Sequence, residues 1–71
     1  MELKTINDIK NLMEKSDENV VSILGTSVFV EIDGDMEEFL ITRELLDELF
    51  ETDMFDKEYG NMHLILHSKK D

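Results

Sequence analysis

The chain has 71 residues, of which 18 are acidic and seven are lysine or arginine, and it contains no cysteine. This length predicts a single domain, residues 1–71, with a thin core, and the lack of cysteine excludes disulfides and thiolate metal sites. The net charge of −11 disfavours nucleic acid and anionic membranes as direct partners and favours basic proteins. No apolar run approaches the about 20 residues that span a bilayer, and the mixed charge of the first 15 residues argues against a signal peptide. We therefore expect a cytoplasmic protein.

The first half of the chain predicts one helix and a set of strands. Apolar residues at helical spacing predict a helix over about residues 4–15. Residues 20–24 are β-branched and compatible with a short strand, and a turn follows at Gly25. Residues 27–32 and 39–42 predict two strands of a hairpin.

The hairpin contains Asp33-Gly34, a strong turn signal, but two registers are open. A two-residue loop would place Val30 opposite Glu37. A four-residue loop over residues 33–36 would place Val30 opposite Phe39. The longer loop keeps the apolar residues on one face, so we predict that register.

The second half predicts a helix, a short helical turn and a closing strand. Thr42 is a good N-cap, and leucines at helical spacing predict a helix over about residues 43–51. Residues 52–60 predict one more helical turn, and alternation over residues 62–67 predicts a strand. The predicted fold is α+β. A small antiparallel sheet, formed by the hairpin and the C-terminal strand, packs with an N-terminal helix and one or two short central helices.

The acidic residues concentrate in residues 31–58, which we call the acidic segment. It contains twelve acids but only Arg43 and Lys57 as bases, whereas residues 1–30 contain five acids and three lysines. On the second helix, four acids recur at i, i+3, i+4 and i+7 without a lysine to offset their repulsion. Such a row either keeps a protein soluble or imitates the phosphates of a nucleic acid strand.

Tyr59 follows this row and is either a core residue or an exposed anchor in an interface. The candidate partner-binding residues are Glu31, Asp33, Gly34, Asp35, Glu37, Glu38, Glu44, Asp47, Glu48, Glu51, Asp53, Asp56, Glu58 and Tyr59.

Catalytic and metal sites are not indicated. His63 and His67 could share a metal on a helix, but on the predicted strand they lie about 13 Å apart. A calcium-loop template matches four acids, although Glu38 stands where that loop requires glycine. No glycine-rich phosphate loop or catalytic triad stands out, so we predict no enzyme activity, no cofactor and no metal. The acids that match the calcium loop are Asp33, Asp35, Glu37 and Glu44.

The order of these features resembles a known group, the small acidic phage proteins that inhibit type II-A CRISPR effector nucleases by mimicking DNA. The resemblance spans nearly the whole chain. After the hairpin come an acidic helix, an acid-rich turn with an aromatic residue and a closing strand. The short segments that carry the resemblance are Ile6-Asn7-Asp8-Ile9-Lys10-Asn11, Gly25-Thr26, Asp33-Gly34 and Phe39-Leu40-Ile41-Thr42.

The resemblance implies a partner and a role for two regions. In that group, the acidic surface fills the groove in which the nuclease reads the short duplex motif beside its target. Asp33 and Gly34 match the loop that reaches toward a nuclease active site. The region that faces the arginines of the groove is shorter and less acidic here; it contains Asp53, Asp56, Glu58 and Tyr59.

The expected function is therefore a non-enzymatic inhibitor, acting in a bacterial cytoplasm, that occupies a basic nucleic-acid-binding site. The alternative is a small acidic interaction module, antitoxin-like or regulatory, that is held by apolar docking. The two differ in salt dependence, because charge pairing weakens steeply with ionic strength and apolar contact does not. The sequence does not indicate an oligomeric state.

Overall fold

The computed structural model describes residues 2–61 and 63–69, which form two helices and six strands. The strands make one sheet in the order β1-β4-β3-β2-β6-β5, and all described pairs are antiparallel except β1 with β4. The predicted α+β class is confirmed. In chain order the elements are β1 (Glu2–Leu3), α1 (Ile6–Lys15), β2 (Val20–Leu24), β3 (Ser27–Ile32), β4 (Asp35–Ile41), α2 (Arg43–Glu51), β5 (Phe55–Gly60) and β6 (His63–Ser68).

Both helices pack on the same face of the sheet. Alternate residues of the central strands point toward them, because successive side chains of a strand lie on opposite faces. No helix of the described residues covers the other face, which we call the outer face, and none is long and apolar enough to cross a membrane. The core residues are Leu3, Ile9, Leu12, Met13, Val21, Ile23, Val28, Val30, Ile41, Leu45, Leu49, Phe55, Leu64 and Leu66.

The predicted four-residue hairpin loop is wrong. Asp33 and Gly34 alone connect β3 to β4, with φ angles of 53° and 83°, the positive pair that a type I′ turn requires. Val30 consequently lies opposite Glu37. The shorter loop is tolerated because Glu37 remains exposed to solvent on the helix side of the sheet. Only two residues of β1 pair with β4, so the part of β4 that contains Glu37 lies at the edge of the sheet.

The helical turn predicted within residues 52–60 is also wrong. Residues 55–60 form β5, an edge strand paired with β6. Phe55 points into the core, while Asp56 and Glu58 point to the outer face. Charged side chains are common on edge strands, where they discourage pairing with other chains. Because β5 contains few apolar residues, the apolar pattern of the sequence did not predict it as a strand.

The strands predicted over residues 27–32 and at the C-terminal end are confirmed as β3 and β6, and residues 20–24, which the sequence left open, are also a strand. Residues 20–24 form β2, which lies inside the sheet between β3 and β6. The closing strand is β6; Met62, which the alternation also assigned to it, lies outside the described residues.

Candidate protein-interaction surface

The α2 helix presents an exposed acidic row, which we call the α2 stripe. The Thr42 side chain caps the helix by accepting a hydrogen bond from the Leu45 N–H at 3.1 Å. Leu45 and Leu49 are buried against the sheet, so the opposite side of the helix faces solvent. The α2 stripe consists of Glu44, Asp47, Glu48 and Glu51, all exposed.

The α2 stripe has no basic partner within the described residues. The only close approach between a basic and an acidic side chain found there places His67 Nε2 3.4 Å from Glu58 Oε1, on the outer face. Glu51 lies in the last turn, where the negative end of the helix dipole disfavours an acid. Lys57 offsets part of this effect, since its Nζ donates to the Phe50 carbonyl at 2.8 Å. The charge pattern therefore opposes helix stability.

The average charge density of the α2 stripe along the helix axis is similar to that of a DNA strand. Positions i to i+7 span about 10.5 Å of helix axis, at about 1.5 Å per residue. Four carboxylates over this length give one charge per about 3.5 Å, and each strand of duplex DNA carries one phosphate per about 3.4 Å of axis. A row of arginines and lysines spaced for phosphates could therefore pair with these carboxylates.

The β3–β4 turn is a second acidic feature of the surface, after the α2 stripe. The Asp17 carboxylate accepts hydrogen bonds from the backbone N–H groups of Asp33 and Gly34, both at 2.9 Å. The Asp17 N–H in turn donates to the Glu31 carbonyl at 2.8 Å. Asp17 was missed by sequence reasoning, because 16 residues separate it from Asp33 and no local pattern indicates the contact.

The other predicted binding residues divide between the two sides of the sheet. Tyr59 lies on the helix side, 65% exposed, with its ring stacked on Phe50 at a centroid distance of 6.1 Å. Asp53 lies in the α2–β5 connection, where its carbonyl accepts from Lys69 Nζ at 2.8 Å. Asp35 and Glu37 also lie on the helix side. Those on the outer face are Glu31, Glu38, Asp56 and Glu58.

This division means that the predicted set does not form one continuous surface. The α2 stripe and the β3–β4 turn are the parts that agree best with a single partner, because they approach the same end of the molecule. The chain enters α2 from the end of β4 far from the turn, and it leaves α2 toward the start of β5, which lies at the turn end of the sheet. The α2 stripe therefore runs toward the turn end.

The comparisons with known proteins add no relative. No family model matches the chain, and no match was found among curated proteins or solved structures.

Metal ligation and ligand binding have less support in the geometry. The described residues contain no cluster of three or more His, Cys, Asp or Glu side chains that could hold a metal ion. His63 and His67 both lie on β6, as the strand prediction required. A cleft of about 400 Å³ opens beside Phe50 and Tyr59, and its wall includes Arg43, the first residue of α2.

Proposed function

We propose that this protein is a non-enzymatic inhibitor that occupies a basic nucleic-acid-binding site of another protein by mimicking DNA. The observation that carries the proposal is the α2 stripe: four exposed carboxylates, with an average axial charge density similar to that of a DNA strand and no basic partner in the described residues. The stripe opposes helix stability by repulsion of about 0.2–0.5 kcal/mol for each i,i+4 pair. A basic partner that neutralises these carboxylates on binding would explain why the chain carries a row of acids that weakens its own helix.

The proposed partner is a type II CRISPR RNA-guided nuclease in a bacterial cytoplasm, as the resemblance of the chain suggests. Its DNA groove carries arginines that bind the duplex. These would pair with the α2 stripe and not with the region of Asp53, Asp56, Glu58 and Tyr59 that the resemblance implies, because Asp56 and Glu58 lie on the outer face. The β3–β4 turn, with Asp33 and Gly34 at its tip, would enter the groove first, because α2 runs toward that end. No catalysis by this chain is needed, since occupying the groove excludes the target.

The direct test is binding of the chain to a guide-loaded type II CRISPR nuclease, with and without target duplex, at low and moderate salt. We expect tight binding that salt weakens and that prebound target DNA prevents. Binding that coexists with bound target would contradict mimicry. Failure to bind would remove this nuclease as the partner.

A variant comparison tests the α2 stripe itself. Glu48→Lys/Glu51→Lys should abolish binding, because two carboxylates become charges that repel the partner's arginines. Glu48→Lys alone should weaken binding strongly. Glu2→Lys makes the same charge change on β1, on the outer face and far from the β3–β4 turn, and should bind nearly as the wild type does. Equal losses for Glu48→Lys and Glu2→Lys would show that net charge, not the α2 stripe, drives the association.

A further inference from the structure

The outer face of the sheet carries apolar side chains that nothing in the described residues covers. Leu24 and Leu40 are each 51% exposed, and Met36 is 64% exposed. Phe29 and Ile65 are half-buried by their neighbours within the sheet. A sheet face of this composition ordinarily packs against another layer. The apolar residues of the outer face are Val20, Leu24, Phe29, Met36, Leu40 and Ile65.

The strand register places these residues next to one another. Ser27 of β3 lies between Leu40 and Leu24, and Ser22 of β2 lies between Phe29 and Ile65. Cross-strand neighbours on one face have Cβ atoms about 4.5–5.5 Å apart, so large side chains reach across the intervening serines. The two rows therefore form one apolar patch over four strands.

The charges around this patch have one sign. No lysine or arginine of the described strands points to the outer face, because Lys57 lies on the helix side of β5. Two histidines, His63 and His67, accompany the acids. The acids of the outer face are Glu2, Glu31, Glu38, Asp56 and Glu58.

A cleft of about 200 Å³ lies at the edge of the patch, beneath the loop that follows α1. Its apolar wall includes Val20, Phe29 and Met36, and its polar wall includes the carboxylate residues Glu18 and Glu31. An arginine or lysine side chain combines an aliphatic stem with a charged end, and such side chains lay the stem on apolar surface while the charge reaches polar groups. The cleft suits that combination.

We propose that the outer face is a second binding surface, which takes a basic amphipathic helix of a partner protein. The apolar side of the helix covers the patch, and one basic side chain enters the cleft between Glu18 and Glu31. A second copy of this chain fits poorly, because its five acids would oppose five identical ones. This surface lies on the opposite side of the sheet from the α2 stripe, so it is a binding site beyond the one in the proposed function. A partner that docks through apolar contacts would bind to this face.

The size of the face indicates a transient contact. The five longer strands, about 4.8 Å apart and about 20 Å long, give an area of about 500 Å². A standard interface buries about 800 Å² on each partner, so this face belongs with the smaller interfaces of transient complexes. A single helix is the element that covers a strip of this size.

The test uses the full chain labelled with ¹⁵N and a synthetic helix of about 18 residues, with leucine on one side and arginine on the other. We expect amide shifts concentrated in β2, β3, β4 and β6. Glu31→Lys should weaken binding about tenfold or more, because it reverses a charge at the cleft. Glu14→Lys makes the same change in net charge on α1, on the helix side of the sheet, and should alter the affinity less than about twofold. Leu40→Gln, at an exposed position, should weaken binding without disturbing the fold.

Three outcomes would overturn the inference. The first is a set of shifts confined to α2, and the second is equal weakening by Glu31→Lys and Glu14→Lys. The third is sedimentation of the free chain as a dimer that Leu40→Gln dissociates, since a second copy would then be the occupant. The test is independent of the proposed function, because nuclease binding depends on Glu48 and peptide binding depends on Glu31.

Discussion

The entry into α1 is fixed by two side chains that cap each other. Thr5 Oγ1 accepts from the Asp8 N–H at 3.2 Å, and the Asp8 carboxylate accepts from the N–H groups of Lys4 and Thr5 at 3.0 and 3.1 Å. The backbone hydrogen bond from Lys4, followed by that from Thr5, lowers the pKa of Asp8 below its ordinary value of 3.8. Asp8 therefore stabilises the fold when ionised. This contribution is complete above the unfolded pKa and disappears as the pH falls through the lower, folded pKa.

Asp8→Asn tests this linkage. We expect the variant to be less stable than the wild type at neutral pH, and the difference to shrink as the pH falls below 3.8. Urea unfolding at a series of pH values measures it. Thr5→Ala is the control, because it removes a cap worth about 1 kcal/mol without removing a titrating group. A difference that stays constant over the whole pH series would show that Asp8 titrates alike in both states.

Asp17→Asn tests the clamp on the β3–β4 turn. An asparagine side chain has one oxygen acceptor, so either the Asp33 or the Gly34 N–H loses its partner. We expect a loss of about 1 kcal/mol, which lowers the Tm of a chain this small by about 4–8 °C. Glu18→Gln is the matched control, since Glu18 makes no hydrogen bond among the described residues. Equal Tm values for Asp17→Asn and Glu18→Gln would exclude a structural role for the clamp.

At the scale of elements, apolar periodicity predicted what is buried. The second helix was predicted at residues 43–51, where α2 lies, and the first at about 4–15, where α1 occupies Ile6–Lys15. The β3 and β6 strands carry alternating buried residues and were predicted as well. Each of these elements has one face in the core, so its pattern of apolar residues records its geometry.

The strand residues that the sequence did not predict, the first half of β4 and the whole of β5, have little buried surface. In β4 every residue before Phe39 is exposed, so no apolar pattern marked its start, and turn chemistry decided the register. In β5 only Phe55 is buried. The predicted binding residues are divided between the two faces of the sheet for the same reason. Successive side chains of a strand lie on opposite faces, so Asp56 and Glu58 lie on the face opposite Tyr59. This separation cannot be predicted from the sequence when the strand itself is missed.

The α2 helix offers a test in which stability and binding change in opposite directions. Glu51→Lys removes an acid from the last turn and forms an i,i+4 pair with Asp47 in the favourable order. We expect stability to rise by about 0.5–1 kcal/mol, measured by thermal unfolding, while binding to the basic partner weakens. Glu44→Lys is the control in the first turn, where an acid favours the helix, and it should lower stability. A loss of stability in Glu51→Lys would contradict the view that the stripe opposes the helix.

At the scale of the whole molecule, the acids occupy both sides of the sheet, and the basic residues do not balance them. Lys4, Lys10 and Lys15 lie on or beside α1, and Lys57 and Lys69 donate to backbone carbonyls. The α2 stripe and the outer face therefore each keep a negative potential. Two such surfaces on opposite sides would allow the chain to contact two basic elements at once.

Ionic strength should act on folding and binding with opposite signs. From about 0.01 M to 1 M salt the Debye length falls from about 30 Å to about 3 Å, so repulsion within a chain of net charge −11 is screened and the Tm should rise. The same screening weakens pairing between the α2 stripe and arginines, so affinity for the basic partner should fall. Thermal unfolding and binding isotherms across one salt series measure both effects. In Glu48→Lys/Glu51→Lys the rise in Tm should be smaller, because less repulsion remains to be screened. Affinity that stays constant while the Tm rises would mean that the partner is held by apolar contact. The outer face, and not the α2 stripe, would then be the main binding surface.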